Sequence, residues 1–346
     1  MKKHAIIPIF IPHLGCPNDC VFCNQRKITA RTEAPSEEAV RATIEEWLTT
    51  LSGVETVEVA FYGGSFTGLD LEEQSGYLSV AEEFLSQGRI DGIHLSTRPD
   101  YIDREILDNL KAHHVGTIEL GVQSFDDEVL RLSRRGHTSE DVYRAAALIK
   151  EYGFTLGIQL MIGLPGDSAS SCSYSAKEAA ALKPELARLY PTIVLDDTEL
   201  LNMYVSGSYV PLEREEAVSR TAEMYRILDE AGIYIMRVGL KSTDIIGDGG
   251  AINGGTYHPA FRQLVEGRII RDRIEAELDS LAELNDGSDD ERSVKVDVFS
   301  HPSWFSNMVG NCGCNKEFFA RKYPNLSLRY RVDDSLKPGQ CRVAVK

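Results

Sequence analysis

Residues 154–166, FTLGIQLMIGLPG, decide the fold. The run from Phe154 to Ile162 is apolar and short, and it stops at Gly163-Leu-Pro-Gly166, so it reads as a buried strand ending in a turn. Amphipathic segments stand on both sides of it, Ser139 to Tyr152 before and Ser170 to Leu182 after. An apolar strand between two such helices belongs to a parallel sheet covered by helices.

Outward from this stretch the alternation continues. Upstream come strands at TIELGVQSF (117–125), GIHLST (92–97), TVEVAFYGG (56–64) and Ala5 to Ile11. Helices are expected at Asp126 to Leu132, Asp103 to Ala112 and Leu71 to Ser86, and one opens at Pro35-Ser36. That last helix has Glu37 and Glu38 in its first turn and Val40, Ile44, Leu48 and Leu51 on one face. Downstream lie a strand at LARLYPTIVL (186–195), a helix from Arg214 to Ala231 and an edge strand near Ile233 to Val238. Six βα units are too few to close an eight-stranded barrel, so the fold class is α/β, a partial (β/α)6 TIM-like barrel over residues 1–240. Residues 241–257, rich in glycine, read as a linker or long functional loop, and residues 258–346 as a small C-terminal α/β extension. In such a barrel the loops after the strands converge on one rim. The residues that fall there are the cysteine loop, Gly63-Gly64, Arg98, Gln123 and Gly163 to Gly166.

Composition bounds the partners. With 42% apolar residues the chain can bury a large core. Pro8 and Pro12 interrupt the only apolar start, and no run reaches the roughly 18 residues of a membrane span, so a cytoplasmic chain with no membrane partner is expected. A net charge of −16 opposes a broad grip on nucleic acid. Arg262, Arg268, Arg271 and Arg273 form the best local basic candidate, with a solvated helix face as the plainer alternative.

The seven cysteines are an odd, uneven set in a chain too large to need disulfide staples. Cys16, Cys20 and Cys23 crowd three thiols directly after the first strand, where all can face one metal centre. Thiolates suit an iron-sulfur cluster, and three ligands leave one iron open. A structural zinc completed by His4 or His13 is the alternative, which the thiol spacings fit poorly. Cys312, Cys314 and Cys341 could form a second centre or simply be unliganded, and Cys172 reads as a helix-surface or core thiol.

The string IPHLGCPNDCVFCNQRKI (11–28) resembles the signature of the radical S-adenosylmethionine (SAM) superfamily. It is most similar to the catalytic subunit of Elongator and, more distantly, to oxygen-independent coproporphyrinogen oxidase. The likeness runs on through YGGSFTG, STRPDYID, LGVQSFDDEVLRLSRRGHT, IGLPGD and RLYPTIVLDDTELL. The resemblance implies a 4Fe-4S cluster on Cys16, Cys20 and Cys23, SAM as second cofactor, and an electron donor such as flavodoxin or ferredoxin. It implies SAM contacts at Gly63, Gly64, Ser65, Ser96, Gln123, Arg135 and Gln159; Ser96 and Gln159 stand where the oxidase relatives carry acidic residues. Gln159 is a buried polar group whose partner is either the cofactor or a neighbour. Arg134 competes with Arg135 for the carboxylate-binding register, and Arg98 could serve substrate or cofactor anions or form a helix-start ion pair with Asp100 or Asp103. Transfer RNA is the substrate that the Elongator likeness implies, although residues 258–346 are too few for the acetyltransferase domain of those relatives. Porphyrin-like small-molecule chemistry and a non-catalytic iron-sulfur or zinc protein are the competing expectations.

Overall fold

The computed structural model describes residues 4–11, 20–24, 34–240, 252–285 and 294–346. Seven strands form the main sheet: His4–Ile11 (β1), Thr56–Gly63 (β2), Gly92–Thr97 (β3), Thr117–Gln123 (β4), Thr155–Ile162 (β5), Leu186–Pro191 (β6) and Tyr234–Val238 (β8). They lie in the order β1-β2-β3-β4-β5-β6-β8, every neighbouring pair parallel. The sheet curls into a partial barrel. Helices return the chain between strands: Glu37–Leu48 (α1), Leu71–Ser86 (α2), Arg104–Ala112 (α3), Asp127–Leu132 (α4), Ser139–Glu151 (α5), Ala169–Ala181 (α6), Glu199–Val205 (α7) and Arg214–Glu230 (α8). Side-chain caps open most of them; Ser36, Asp70 and Asp103, for example, accept from the Ala39, Glu73 and Ile106 backbone N–H groups.

The period-2 alternation of the strands separates two environments. One set, Ile7, Val59, Leu95, Leu120, Ile158 and Leu189, packs under the helices with Val40, Leu78, Leu107, Ile149 and Ala179. The other set faces the concave interior and includes Tyr62, His94, Ser96, Glu119, Gln159, Arg188 and Tyr190. Strands that look uniformly buried in sequence therefore have one oily face and one polar face.

The single strand expected at 186–195 is two. Pro191 has no N–H with which to continue the ladder. After Thr192, whose N–H donates to Ile162 O at 2.8 Å, the chain leaves the barrel sheet as Ile193–Leu195 (β7). Part of the expected linker is also a strand: Ile252–Gly255 (β9) pairs antiparallel with β7. Gly255 makes this close approach possible, since its φ is +85° and a Cβ there would lie 2.6 Å from Thr192 O. Residues 241–251 lie outside the described residues.

The C-terminal part contains Phe261–Asn285 (α9), Phe305–Val309 (α10), Cys314–Lys322 (α11) and a three-stranded sheet of Val294–Ser300 (β10), Leu326–Val332 (β11) and Cys341–Val345 (β12) in the order β11-β10-β12. Helix α9 serves two cores. Its Phe261, Val265 and Ile269 enter the barrel core, while Ile270, Ile274 and Leu278 join Val296, Val298, Met308 and Phe319 in a second one. The arginines of this helix are tied down. Arg262 pairs with Glu266 and Arg268 with Asp272, both at 2.7 Å; Arg271 lies 4.6 Å from the Phe318 ring centroid, and Arg273 donates to Gly339 O. The basic stretch read from sequence is thus an ion-paired packing surface.

Candidate active site

A cavity of about 240 Å³ opens at the carboxyl ends of the strands. It is lined by Cys20 and Cys23, by Gly63 and Gly64 after β2, Ser96 and Arg98 at β3, Gly121 and Gln123 of β4, Arg135, Gln159 and Met161 of β5, and Tyr190 of β6. Ile193 and Leu195 of β7 close one side. The structure therefore gathers Cys20, Cys23, Gly63, Gly64, Ser96, Gln123, Arg135 and Gln159 around one space. Ser65 sits behind it, and Cys16 and His13 lie outside the described residues.

The second half of the cysteine loop is anchored by neighbours on two sides. Val21 N–H donates to Ser133 O at 3.2 Å and Leu200 N–H donates to Val21 O at 2.7 Å. The Val21 side chain packs with Val194, Leu200 and Tyr209. Asn24 Nδ2 donates to Asp196 O at 2.9 Å. Gly63 secures the strand that leads into the loop. Its φ is +124°, and a Cβ there would collide with the Ile11 carbonyl, whose oxygen also accepts from Gly64 N–H at 3.1 Å.

Arg135 is the central cation. It is 7% exposed and donates from Nη1 to Cys20 Sγ at 3.3 Å and from Nη2 to Gly121 O at 2.5 Å. Its buried Nε has no hydrogen-bond partner among the described residues. Arg134, by contrast, is exposed and pairs with Glu199 at 3.2 Å, which separates the two neighbouring arginines that sequence left competing. Arg98 is braced by Asp100, through Nε at 2.9 Å and Nη2 at 2.8 Å, and Nη2 also donates to Arg135 O. The ion-pair alternative for Arg98 is therefore what the structure shows, beside its place in the cavity wall. Behind Arg135, burial and then the Arg135 and Arg98 charges push the His137 imidazole down to about 3, so it is neutral, with Nε2 3.2 Å from Val122 O.

Ser65 Oγ bonds Thr97 Oγ1 at 2.7 Å and accepts from Arg98 N–H at 3.1 Å, so it holds the end of β3 in place. Gln123 takes φ +69° beside a register shift in the β4–β5 pairing, a conformation rare for a side-chain-bearing residue. Gln159 donates from Nε2 to Glu119 Oε1, giving it the neighbour that sequence held open while it still lines the cavity.

Beneath this rim lies a layer that sequence reading missed. Glu119 of β4 is fully buried and meets Arg188 Nε of β6 at 2.7 Å, in an ion pair off the line of a directed hydrogen bond. His94 Nε2 of β3 stands 3.7 Å from the same carboxylate. Burial raises the Glu119 carboxyl, but Arg188, then His94 and Gln159, outweigh it and hold it below the usual carboxylate range. Arg188 also donates to Tyr62 OH and, at 3.4 Å, to Tyr190 OH. Gly157 makes the reach across β5 possible, because a Cβ there would stand 3.1 Å from Glu119 Cγ and 2.5 Å from Leu186 Cδ1. A signal existed in the sequence: opposite charges inside two otherwise apolar strands demand each other once both are buried.

Among known families, the Radical SAM superfamily matches over residues 10–176, and the Radical_SAM C-terminal domain over 184–271. The chain belongs to the radical SAM superfamily. Membership implies a 4Fe-4S cluster and SAM as cofactors. An uncharacterized protein of Methanocaldococcus jannaschii is 30% identical, covering 68% of this radical SAM chain and 74% of its own length. The tRNA uridine(34) acetyltransferase of Methanocaldococcus infernus is 28% identical over 62% of this chain and 48% of its own. The chain thus spans about half the length of such acetyltransferases. Among solved structures, Elp3 of M. infernus superimposes with a TM-score of 0.63 at 22% identity, covering 79% of this chain and 64% of that one, a likeness of fold. No helix of the described residues is long and apolar enough to cross a membrane.

Proposed function

We propose that this radical SAM chain holds a 4Fe-4S cluster on Cys16, Cys20 and Cys23, binds SAM in the adjoining cavity, and acts on transfer RNA. The observation that carries the reading is the cavity wall itself, where two thiols, an arginine with a spare buried donor and two glycines meet. That donor set fits a thiolate-bound cluster beside a carboxylate-bearing cofactor. When bound, the pair supplies one electron and, from SAM, a 5'-deoxyadenosyl radical that abstracts hydrogen from substrate.

The residues of this chain do the positioning. The Arg135 guanidinium stands 3.3 Å from Cys20 Sγ, beside the proposed cluster ligand, and offers Nε to a carboxylate. Gly63 and Gly64 present backbone without a Cβ in the way, and Ser96, Gln123 and Gln159 offer neutral hydrogen-bonding groups to amino and hydroxyl groups. Ser65 acts through Thr97 and Arg98. Ile193 and Leu195 of β7 supply apolar wall that keeps water from the reacting centre. In this reading residues 1–240 carry the radical chemistry, 241–257 connect, and 258–346 serve recognition, with flavodoxin or ferredoxin as electron donor. Transfer RNA is favoured by the relatives named as tRNA uridine(34) acetyltransferases.

Anaerobic reconstitution with iron and sulfide, followed by reduction with SAM present, tests this. The expected result is a cluster spectrum, 5'-deoxyadenosine release, and a higher release when transfer RNA is added. A cluster that forms without yielding 5'-deoxyadenosine overturns the enzymatic reading; release that transfer RNA leaves unchanged overturns the substrate.

A further inference from the structure

The C-terminal sheet carries a charge pattern opposite to that of the whole chain. Register places nine residues on its outward face: Ser327, Arg329 and Arg331 of β11, Lys295, Asp297 and Phe299 of β10, and Arg342, Ala344 and Lys346 along β12. The intervening Val296 and Val298 point into the core beneath. Five of the nine are cationic, and Lys295, Arg329, Arg331, Arg342 and Lys346 are all exposed. Acidic neighbours offset this only in part. Asp297 meets Arg331 at 3.2 Å and Lys346 at 3.7 Å, and Asp333 at the rim meets Arg342 at 2.8 Å. Among the described residues neither Lys295 nor Arg329 makes an ion pair. The Arg342 guanidinium lies over the Phe299 ring, 4.2 Å from its centroid.

We propose that this face docks RNA by its phosphate backbone. Strands about 4.8 Å apart make it a platform roughly 10 Å wide, bearing fixed cations at each edge and an aromatic between them. Arginine forks match phosphate oxygens, and a sheet face with basic and aromatic side chains is one of the surfaces on which proteins hold RNA. In a chain of net charge −16, a polyanion is repelled broadly and drawn to a basic face such as this, which would orient it. The choice of RNA over another polyanion rests on the proposed transfer RNA substrate.

The test is fluorescence anisotropy of the full chain with labelled bulk transfer RNA over a salt series, comparing wild type with Lys295→Glu/Arg329→Glu and with the milder Lys295→Gln/Arg329→Gln. Circular dichroism and RNA-free 5'-deoxyadenosine release, both expected unchanged, show that the variants fold. Binding should weaken at least tenfold in the reversal variant, and the log–log salt slope should fall by about two in either variant. If wild type and both variants bind alike, the face is wrong and the transfer RNA reading stands. If wild type binds transfer RNA but release does not respond to it, the substrate reading fails while the face survives. If wild type binds no transfer RNA at low salt, or binds duplex DNA or polyglutamate equally well, RNA is not the occupant.

Discussion

The barrel interior holds two cationic centres one layer apart, and they are finished differently. In the inner layer Arg188 faces a buried carboxylate and two phenols, and that carboxylate in turn meets an amide and a histidine, all of them supplied by the chain itself. At the rim Arg135 touches a thiol and a carbonyl, makes no ion pair among the described residues, and keeps a buried donor unused. A buried cation paired with a carboxylate shapes the scaffold; one without an ion-pair partner is where an anionic ligand belongs. The distinction can be attacked by experiment.

The largest effect is expected from Arg188→Met, which strands the Glu119 carboxylate and should cost about 3–5 kcal/mol of stability in urea unfolding of the apoprotein. Adding Glu119→Leu should recover most of that loss, since the pair is self-contained. A double variant as unstable as the single one would show that the inner layer does more than neutralise itself. Next in size, Gly63→Ala should cost about 1–3 kcal/mol, because a left-handed backbone and the Ile11 carbonyl both oppose a Cβ. It should also lower iron incorporation, measured per chain after reconstitution, since it disturbs the strand that feeds the cysteine loop.

For Arg135→Gln the balance should reverse. Stability falls by only about 1 kcal/mol, while SAM affinity by equilibrium dialysis drops about 10- to 100-fold, the scale of a lost charge-assisted hydrogen bond. If SAM binds the variant as well as wild type, the rim is as closed as the inner layer. The smallest effect concerns His137, whose imidazole is held at about 3 against an ordinary 6.5. A depressed folded value favours the neutral form, so its contribution is complete above pH 6.5 and is lost as pH falls towards 3. The urea midpoint of the apoprotein should therefore decline more steeply on acidification in wild type than in His137→Gln.

Much of the fold was legible because strand and helix carry different periods. The FTLGIQLMIGLPG stretch, the glycine ends and the helix caps each announce themselves locally. The break at Pro191 and the β7–β9 pairing did not, because antiparallel pairing between segments so far apart in sequence leaves no local trace. At the site, strand ends and motif order brought Cys20, Gly63, Arg98, Gln123 and Arg135 to one rim, as the cavity has them, whereas Gly163 to Gly166, expected there too, do not line it. Local reading could not separate Arg134 from Arg135, since one residue's rotation along a turn decides which faces in.

By itself the sequence determined that this chain has a parallel βα sheet with a thiol loop at its start, because apolar periodicity and cysteine spacing are properties of neighbouring residues. Tertiary structure alone decided which charges are spent and which remain available. Glu119 and Arg188 meet only because β4 and β6 flank the glycine of β5, the arginines of α9 are consumed by packing, and cations from three distant strands share one face. Burial and pairing are relations between segments, and only the folded chain sets them.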